Sequence, residues 1–243
     1  TFTILGTSLG GLSPANDLTL TVATLTANPL TLAEYNDIAN NYTTGVITAT
    51  LESDELGDLI DSSTGLASGN TANVTISDTT INAEDLVALA NSTSGTITVD
   101  GTSGSAINGT LADAVAIFSN SSITASGIAD STVTLDAINT AAASDLLTIT
   151  SSFTGGATGD LDIANVGRIS GTITDVNAVF SHATVNNGGT QNVTITDATV
   201  DAVKLATLIG DVENNNNLTT GNVDILSSAI NGSVAEVATI IDT

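Results

Sequence analysis

Residues 6–10 read Gly-Thr-Ser-Leu-Gly and match the nucleophile-elbow pattern Gly-x-Ser-x-Gly, which makes Ser8 the first candidate for chemistry. In that chemistry a strained strand-to-helix turn exposes the serine, and a histidine acts as its base. The one histidine of the chain is His182. Residues 11–14, Gly-Leu-Ser-Pro, make a poor helix start, and the residues that correspond to His182 in the repeats described below are Asn120 and Asp242. We therefore expect His182 to be a solvent-side residue at a helix end, and we predict no enzyme.

Carboxylates are the second chemistry to consider, because the chain has 26 acids and a formal charge of −24. Asp160 and Asp162 flank Leu161, an alternation that points both acids outward from a strand, and Asp224 repeats the pattern. Rows of such carboxylates are able to hold Ca²⁺ between units or between subunits. No calcium nonapeptide or EF-hand loop occurs, so the alternative is a solvated acidic face. Ca²⁺ is the one cofactor the sequence leaves open, and the metal-binding residues stay unassigned.

Threonine pairs of the form Thr-x-Thr recur along the chain and provide a third candidate surface. If they line one flat face, that face would suit ice or a crystalline polysaccharide. The alternative is the general preference of threonine for half-buried strands. The pairs are Thr48/Thr50, Thr96/Thr98, Thr132/Thr134 and Thr194/Thr196.

An internal repeat determines which elements would position these residues. Three copies of the pattern Gly, hydroxyl, apolar, x, acid, apolar, x, x, apolar, apolar begin at Gly109, Gly171 and Gly232. Successive copies are separated by about 60 residues. Between these copies lies a second kind of segment, Val-Thr-Ile-Ser-Asp at 74–78 and Val-Thr-Ile-Thr-Asp at 193–197. The sequence therefore predicts odd and even units that alternate.

Each unit is predicted to hold a short strand, and the strands are about 29 residues apart on average. Turns rich in Gly, Asn, Ser and Thr separate the units. The predicted strands are Leu18–Val22, Val46–Thr50, Val74–Ser77, Ile97–Asp100, Val133–Leu135, Leu161–Ala164, Val193–Thr196 and Val223–Leu226.

A short helix is predicted after each strand, because a hydroxyl residue is followed three positions later by an acid. In this capping box the hydroxyl accepts from the third helical N–H and the acid reaches back. The boxes are Thr31/Glu34, Thr110/Asp113, Thr172/Asp175 and Ser233/Glu236. In the odd units the predicted apolar helix positions are Ile81, Leu86 and Leu89, and then Val200, Val203 and Leu208.

These elements predict a β-rich solenoid with a short capped helix in each unit and a parallel sheet stacked along its axis. Residues 18–243 would form about eight strand–helix units in odd–even pairs. Residues 1–17 would be an N-terminal arm that acts as a cap or as an exchanged strand. The alternative fold is a two-layer globular α/β domain.

Composition excludes several classes of function. Arg168 and Lys204 are the only bases, so binding to nucleic acid or to anionic lipid is not expected. No apolar run is long enough to span a membrane, so membrane insertion is not expected. The chain begins at Thr1 and has no Cys, no Met and almost no trypsin-type cleavage sites. We expect a processed chain that works outside the cell.

The repeats resemble the Thr/Ser/Asp-rich repeat regions of bacterial, especially cyanobacterial, surface and secreted proteins. The residues that carry the resemblance are 31–35, 46–50 and 193–197, and it covers residues 18–243. It implies an extracellular structural or adhesive role. The apolar C-terminal repeat would stack on another copy, which predicts a self-associating subunit of a filament, sheath or surface layer. The alternative is a secreted adhesin or an ice- or polysaccharide-binding module.

Overall fold

The structure is a computed structural model. It describes residues 20–21, 29–41, 46–67, 70–99, 105–124, 128–153, 158–186, 191–214, 222–226 and 229–241. The proposed arm at 1–17, with the Gly-x-Ser-x-Gly match at 6–10, lies outside these residues.

Short strands alternate with helices along the described residues. The strands are β1 (Leu20–Thr21), β2 (Ile47–Asp54), β3 (Thr71–Ile76), β4 (Thr80–Asn82), β5 (Ile97–Val99), β6 (Ala106–Gly109), β7 (Thr132–Leu135), β8 (Ala141–Ala142), β9 (Asp160–Asp162), β10 (Arg168–Gly171), β11 (Val185–Asn186), β12 (Asn192–Ile195), β13 (Thr199–Asp201), β14 (Val223–Ile225) and β15 (Ala229–Asn231). The helices are α1 (Leu32–Asn41), α2 (Leu56–Leu59), α3 (Ala83–Ser92), α4 (Leu111–Ser119), α5 (Ala143–Thr150), α6 (Ile173–Ser181), α7 (Ala202–Asn214) and α8 (Val234–Ile241).

All the strand pairs among these elements are parallel, and they form four sheets. The first sheet has the order β1-β2-β3-β5, and the second has the order β4-β6-β7-β9-β11. The third has the order β8-β10-β12-β14, and the fourth pairs β13 with β15. Parallel sheets therefore alternate with helices, as in α/β proteins, and consecutive helices from α2 to α8 pack against one another.

We call each helix, together with the strands that precede it, a unit, and number the units 1 to 8 after their helices. From an odd unit to the next even unit, the strands just before the two helices pair with each other: β4 with β6, β8 with β10, and β13 with β15. From an even unit to the next odd unit, the strand before the even helix does not pair with the strand just before the odd helix. It pairs with the strand that precedes that one: β2 with β3, β6 with β7, and β10 with β12. The odd unit then adds a new strand before its helix. The pairing pattern therefore repeats every two units.

A column of aliphatic side chains runs through the paired strands. Ile81 pairs with Ile107, Ile107 with Val133, and Val133 with Leu161, and all four are at most 1% exposed. Helices α1 to α7 contribute buried residues to the same core, such as Leu86 in α3. Successive side chains alternate across a strand, so a strand of three or four residues supplies one or two aliphatic side chains to this core.

The glycine that opens the even-unit motif is explained by the unit that precedes it. It packs against the first alanine of the odd helix, so closely that a side chain on the glycine would overlap that alanine. A β-carbon would lie 2.6 Å from Ala83 Cβ at Gly109, 2.8 Å from Ala143 Cβ at Gly171 and 2.6 Å from Ala202 Cβ at Gly232. Glycine in even units and alanine in odd units are thus two halves of one contact.

Each of the eight predicted strands overlaps a strand of the structure, and helices follow them. The short strands directly before the helices, β4, β6, β8, β10, β13 and β15, were not predicted. Ile81 and Val200 were predicted to lie on helices, but they lie in β4 and β13. Val203 was predicted to lie on an apolar helix face, but it is 52% exposed. No helix in the described residues is both long and apolar enough to cross a membrane.

The Gly–Ala contact leads to a first prediction. Gly171→Ala should lower the free energy of unfolding by about 1–3 kcal/mol, because the new methyl group overpacks against Ala143. Gly57→Ala is the matched control, since a β-carbon there has no atom within 4 Å. Urea unfolding followed by circular dichroism measures both. Adding Ala143→Gly to Gly171→Ala should recover part of the loss, and unchanged midpoints for Gly171→Ala would contradict the contact.

Candidate functional site

Among the described residues, the last unit exposes three large apolar side chains, whereas units 2 and 7 expose one each, Val46 and Val203. Val234 is 89% exposed and Ile230 is 41% exposed. Val200 pairs with Ile230 in register and is fully buried, and Ile173, which occupies in α6 the position of Val234 in α8, is 3% exposed. Leu226, which follows β14, is 71% exposed. We call Leu226, Ile230 and Val234 the terminal face.

The edges of two strands complete this surface. Within the described ranges, β14 is one of the two end strands of the third sheet, and β15 is one of the two strands of the fourth. An end strand presents main-chain N–H and C=O groups to whatever comes next, so it can accept a further parallel strand. At the start of the chain order, β1 is one of the two end strands of the first sheet in the part of the chain that the structure describes.

The helix of the first unit differs from the helix of the last. Tyr35 is fully buried and Ile38 is 8% exposed, so the apolar side of α1 is covered. Burial of the Tyr35 ring raises the pKa of its hydroxyl above the ordinary value, because the phenolate would lose its hydration. In α8, by contrast, Val234 at the start of the helix is exposed, although Ile240 near its end packs partly buried against the core.

The predicted capping boxes are confirmed, with a difference between Glu and Asp. At Thr31 and Ser233 the backbone N–H donates to the carboxylate of Glu34 or Glu236, at 3.1 Å and 2.6 Å, so the box closes in both directions. In α4 and α6 the carboxylate is one carbon shorter, and it accepts from the threonine hydroxyl instead. The distances are 2.6 Å from Thr110 Oγ1 to Asp113 and 2.8 Å from Thr172 Oγ1 to Asp175.

A second kind of cap joins an even helix to the following odd unit. The backbone N–H of Leu56, at the start of α2, donates to Asp78 at 2.6 Å. The backbone N–H of Ile173, at the start of α6, donates to Asp197 at 2.6 Å. Asp78 and Asp197 end the two Val-Thr-Ile-x-Asp segments, so this acid ties two units together. At the remaining junction of this type, between units 4 and 5, the position is occupied by Ala137.

The carboxylates proposed as calcium ligands do not gather into a cluster. Leu161 is buried and points away from Asp160 and Asp162, as expected for a strand. Asp224 accepts instead from Arg168 Nη1 at 2.5 Å, and the same nitrogen donates to Thr194. The described residues contain no group of three or more acids and histidines placed to hold a metal ion.

A groove of about 690 Å³ lies between α1, the end of β2 and α2. One rim is a turn in which Ser63 and Thr64 donate to Asp61 through backbone N–H and hydroxyl groups. These hydrogen bonds hold the pKa of Asp61 well below its ordinary value. The acids that line the groove are Asp37, Glu52, Asp54 and Asp58.

His182 lies at the C-terminal end of α6, where its backbone N–H donates to the carbonyl of Val179. Its Nδ1 lies 2.9 Å from the hydroxyl of Thr184. This is the helix-end position predicted from the sequence, although the residue is partly rather than fully exposed. Ser8, its predicted partner in the hydrolase alternative, lies outside the described residues.

The four threonine pairs do not share one sheet. Thr48 and Thr50 lie in β2 of the first sheet, and Thr98 lies in β5, the far end strand of the same sheet. Thr132 and Thr134 belong to the second sheet. Thr194 belongs to the third sheet, and Thr196 directly follows its strand β12. Within the first sheet the threonines do form rows. Thr21, Thr48 and Thr71 occupy one register position, and Thr75, Thr98 and Thr124 occupy another, with a hydrogen bond of 3.1 Å from Thr124 to Thr98.

Comparison of the chain with protein-family models, with curated proteins and with solved structures found no match.

The apolar C-terminal repeat was predicted from the sequence to stack on another copy, but the residues that form the terminal face were not identified there. The available signal was the correspondence of Ile230 with Ile107 and Ile169, each of which lies two residues before a glycine of the repeat motif. The acids Asp78 and Asp197 were noted as parts of a pattern, but their role as caps depends on the register between units.

The inter-unit cap leads to a second prediction, in which two substitutions act in opposite directions. Asp197→Ala should destabilise the protein by about 1 kcal/mol, because it removes the acceptor for the Ile173 N–H. Ala137→Asp should stabilise it by a few tenths to about 1 kcal/mol, by adding the missing acceptor near the start of α4. Asp197→Asn keeps an acceptor oxygen and is the control for charge. Thermal unfolding at fixed salt measures all three, and equal effects of Asp197→Ala and Asp197→Asn would assign the loss to charge rather than to the hydrogen bond.

Proposed function

We propose that the protein is a structural subunit of an extracellular filament, sheath or surface layer. In this proposal its units stack as a β-rich solenoid, and the last unit of one copy stacks on the first unit of the next. The observation that carries the proposal is the terminal face, where Ile230 and Val234 are exposed although their counterparts in earlier units are buried.

The solenoid part of the proposal rests on the direction of pairing. Strands of successive units pair in parallel, and each unit covers the aliphatic side chains of the unit before it. A body built in this way has an aliphatic boundary between each unit and the next, so an uncovered end associates with another unit unless a polar cap covers it. Terminal units of soluble repeat proteins carry polar outer faces for this reason.

The energy of the terminal face sets the expected strength of assembly. Full burial of an aliphatic side chain contributes about 1.5–3 kcal/mol, and these three residues are already partly buried. Association costs about 4–15 kcal/mol in lost translational and rotational freedom. The three side chains alone therefore do not suffice, and strand pairing and helix packing must supply the remainder. We expect assembly to depend strongly on protein concentration.

Charge adds a condition for assembly. Each copy carries a formal charge of −24, so copies repel one another at low ionic strength. At about 0.15 M salt the screening length falls to about 8 Å, which limits this repulsion to neighbouring units. Salt or Ca²⁺ should therefore promote association, and no catalytic step is part of the proposal.

The extracellular location is supported by composition and by resemblance. The chain lacks Cys and Met and has only Arg168 and Lys204 as bases, which leaves proteases of the trypsin class few sites to cleave. The repeats also resemble the Thr/Ser/Asp-rich repeat regions of bacterial surface proteins. Both features suit a protein that persists outside the cell.

The third prediction tests self-association through the terminal face. Ile230→Gln with Val234→Gln should weaken association at least ~30-fold, because two aliphatic side chains no longer gain from burial. Val203→Gln is the matched control, since Val203 is also an exposed valine near the start of a helix but has units on both sides. Sedimentation velocity over a concentration series, with negative-stain microscopy of the same samples, measures the effect. A wild-type chain that stays monomeric at high concentration with salt and Ca²⁺ present would refute the proposal.

A secreted adhesin or an ice- or polysaccharide-binding module is the second candidate, and the threonine rows of the first sheet favour it. Hydroxyl groups in neighbouring strands repeat at about 4.8 Å, a regular spacing that a crystalline surface can match. The row of Thr75, Thr98 and Thr124 spans three successive units. The pair Thr194/Thr196 does not form such an accessible row, because Thr194 is buried and accepts a hydrogen bond from Arg168.

The fourth prediction tests this candidate. Thr75→Tyr with Thr98→Tyr should abolish adsorption to ice or to crystalline cellulose, because the bulky rings break the regular row. Thr132→Tyr, on an exposed position of the second sheet, should leave adsorption unchanged. Adsorption is measured by depletion of protein from solution. Absence of adsorption by the wild-type chain would eliminate the candidate.

A further inference from the structure

We infer that β15 of one copy pairs in parallel with β1 of a second copy, with Ile230 opposite Leu20 and Asn231 opposite Thr21. This inference rests on the proposed self-assembly and gives it a register. The occupant of the terminal face is then the first unit of the same chain.

The register follows from the internal junctions between even and odd units. In the second sheet Ile107, in the strand before α4, pairs with Val133 of unit 5. In the third sheet Ile169, in the strand before α6, pairs with Val193 of unit 7. In both cases the next residues also pair, Asn108 with Thr134 and Ser170 with Thr194. An even strand thus presents its buried isoleucine to a valine that is followed by threonine.

Internal pairing also identifies the corresponding residues at the two ends. Val200 pairs with Ile230, just as Ile81 pairs with Ile107, so Ile230 takes the place of the even-unit isoleucine. Leu20 pairs with Ile47 of the following even unit, just as Val193 pairs with Val223. Leu20 therefore takes the place of the odd-unit valine, and Thr21 takes the place of the threonine after it.

The two ends complement each other in type and in charge. Unit 8 is even and unit 1 is odd, so the contact between copies continues the alternation found inside one copy. β15 and β1 are both end strands of their sheets. The residues at these register positions are uncharged, Ile230 with Leu20 and Asn231 with Thr21, so the strand contact itself adds no like-charge pair to a strongly acidic protein.

The fifth prediction uses the absence of cysteine from the natural chain. A chain with Thr21→Cys and Asn231→Cys should give a ladder of covalent dimers, trimers and longer oligomers under mild oxidation. Directly opposed residues on neighbouring strands have Cα atoms about 5 Å apart, which is within the range that a disulfide can bridge. The control chain carries Thr21→Cys and Asn222→Cys, since Asn222 is exposed beside β14 rather than in β15. Non-reducing electrophoresis after oxidation at the assembly concentration measures both.

The outcomes separate the register from the assembly. A ladder in the Thr21/Asn231 variant that exceeds the control at least ~10-fold supports the inferred pairing, and a mixture of the two single-cysteine chains should then stop at dimers. Polymers seen by sedimentation without this preference would overturn the register and leave the filament standing. A wild-type chain that does not associate at all would overturn both the register and the filament.

Discussion

The structure depends on one interaction, the parallel pairing of each strand with a strand one unit further along the chain. Ile81, Ile107, Val133 and Leu161 are buried because each lies beside the next, at a separation set by hydrogen bonds between strands. A short strand cannot enclose its aliphatic side chain alone, so a unit gains stability chiefly from its neighbours. The exposed Ile230 is the direct consequence, since it is the same kind of residue in a position with a neighbour on one side only.

The alternation of odd and even units comes from steric fit and from the way strands are added. Gly171 leaves room for Ala143, so an even unit can approach an odd helix as closely as strand pairing requires. At the junction from an even unit to the next odd unit, Asp197 accepts a hydrogen bond from the Ile173 N–H. There the strand before the even helix, β10, pairs with β12 rather than with β13, the strand just before the odd helix. Because these two contacts differ, the smallest repeating element is a pair of units. This explains why the sequence shows a period of about 60 residues more clearly than one of about 30.

The sequence contained enough information for the main strands and helices but not for their register. Segments such as 193–197 alternate apolar and polar residues over four or five positions, which is a recognisable strand pattern. Strands such as β4 and β13 have three residues and one buried side chain, which is too short for a period of two to be detected. Ile81 and Val200 were therefore attributed to the helices that follow them.

Features that depend on which unit lies beside which could not be read from spacing. Val74 pairs with Ile97, 23 residues later, whereas Val193 pairs with Val223, 30 residues later, because the loops between units differ in length. Because the strand before each even helix pairs with the strand that comes two before the odd helix, the threonine pairs also fall on different sheets. The caps formed by Asp78 and Asp197, and the exposure of Val234, became visible only once the register was known.

Strong acidity and an apolar end are compatible because they act over different distances. Charge repulsion extends over roughly 8 Å at about 0.15 M salt, or less than two strand spacings, whereas burial and strand pairing act at contact. Acids such as Asp160 and Asp162 lie on outward positions of a sheet, and in the inferred pairing the facing strands carry none. In the proposed assembly, this charge would therefore oppose contact only weakly once two ends meet in register. A side-by-side approach would bring acids of two copies together without the gain from buried aliphatic side chains, so in this proposal the charge would favour end-to-end contact over side-by-side contact.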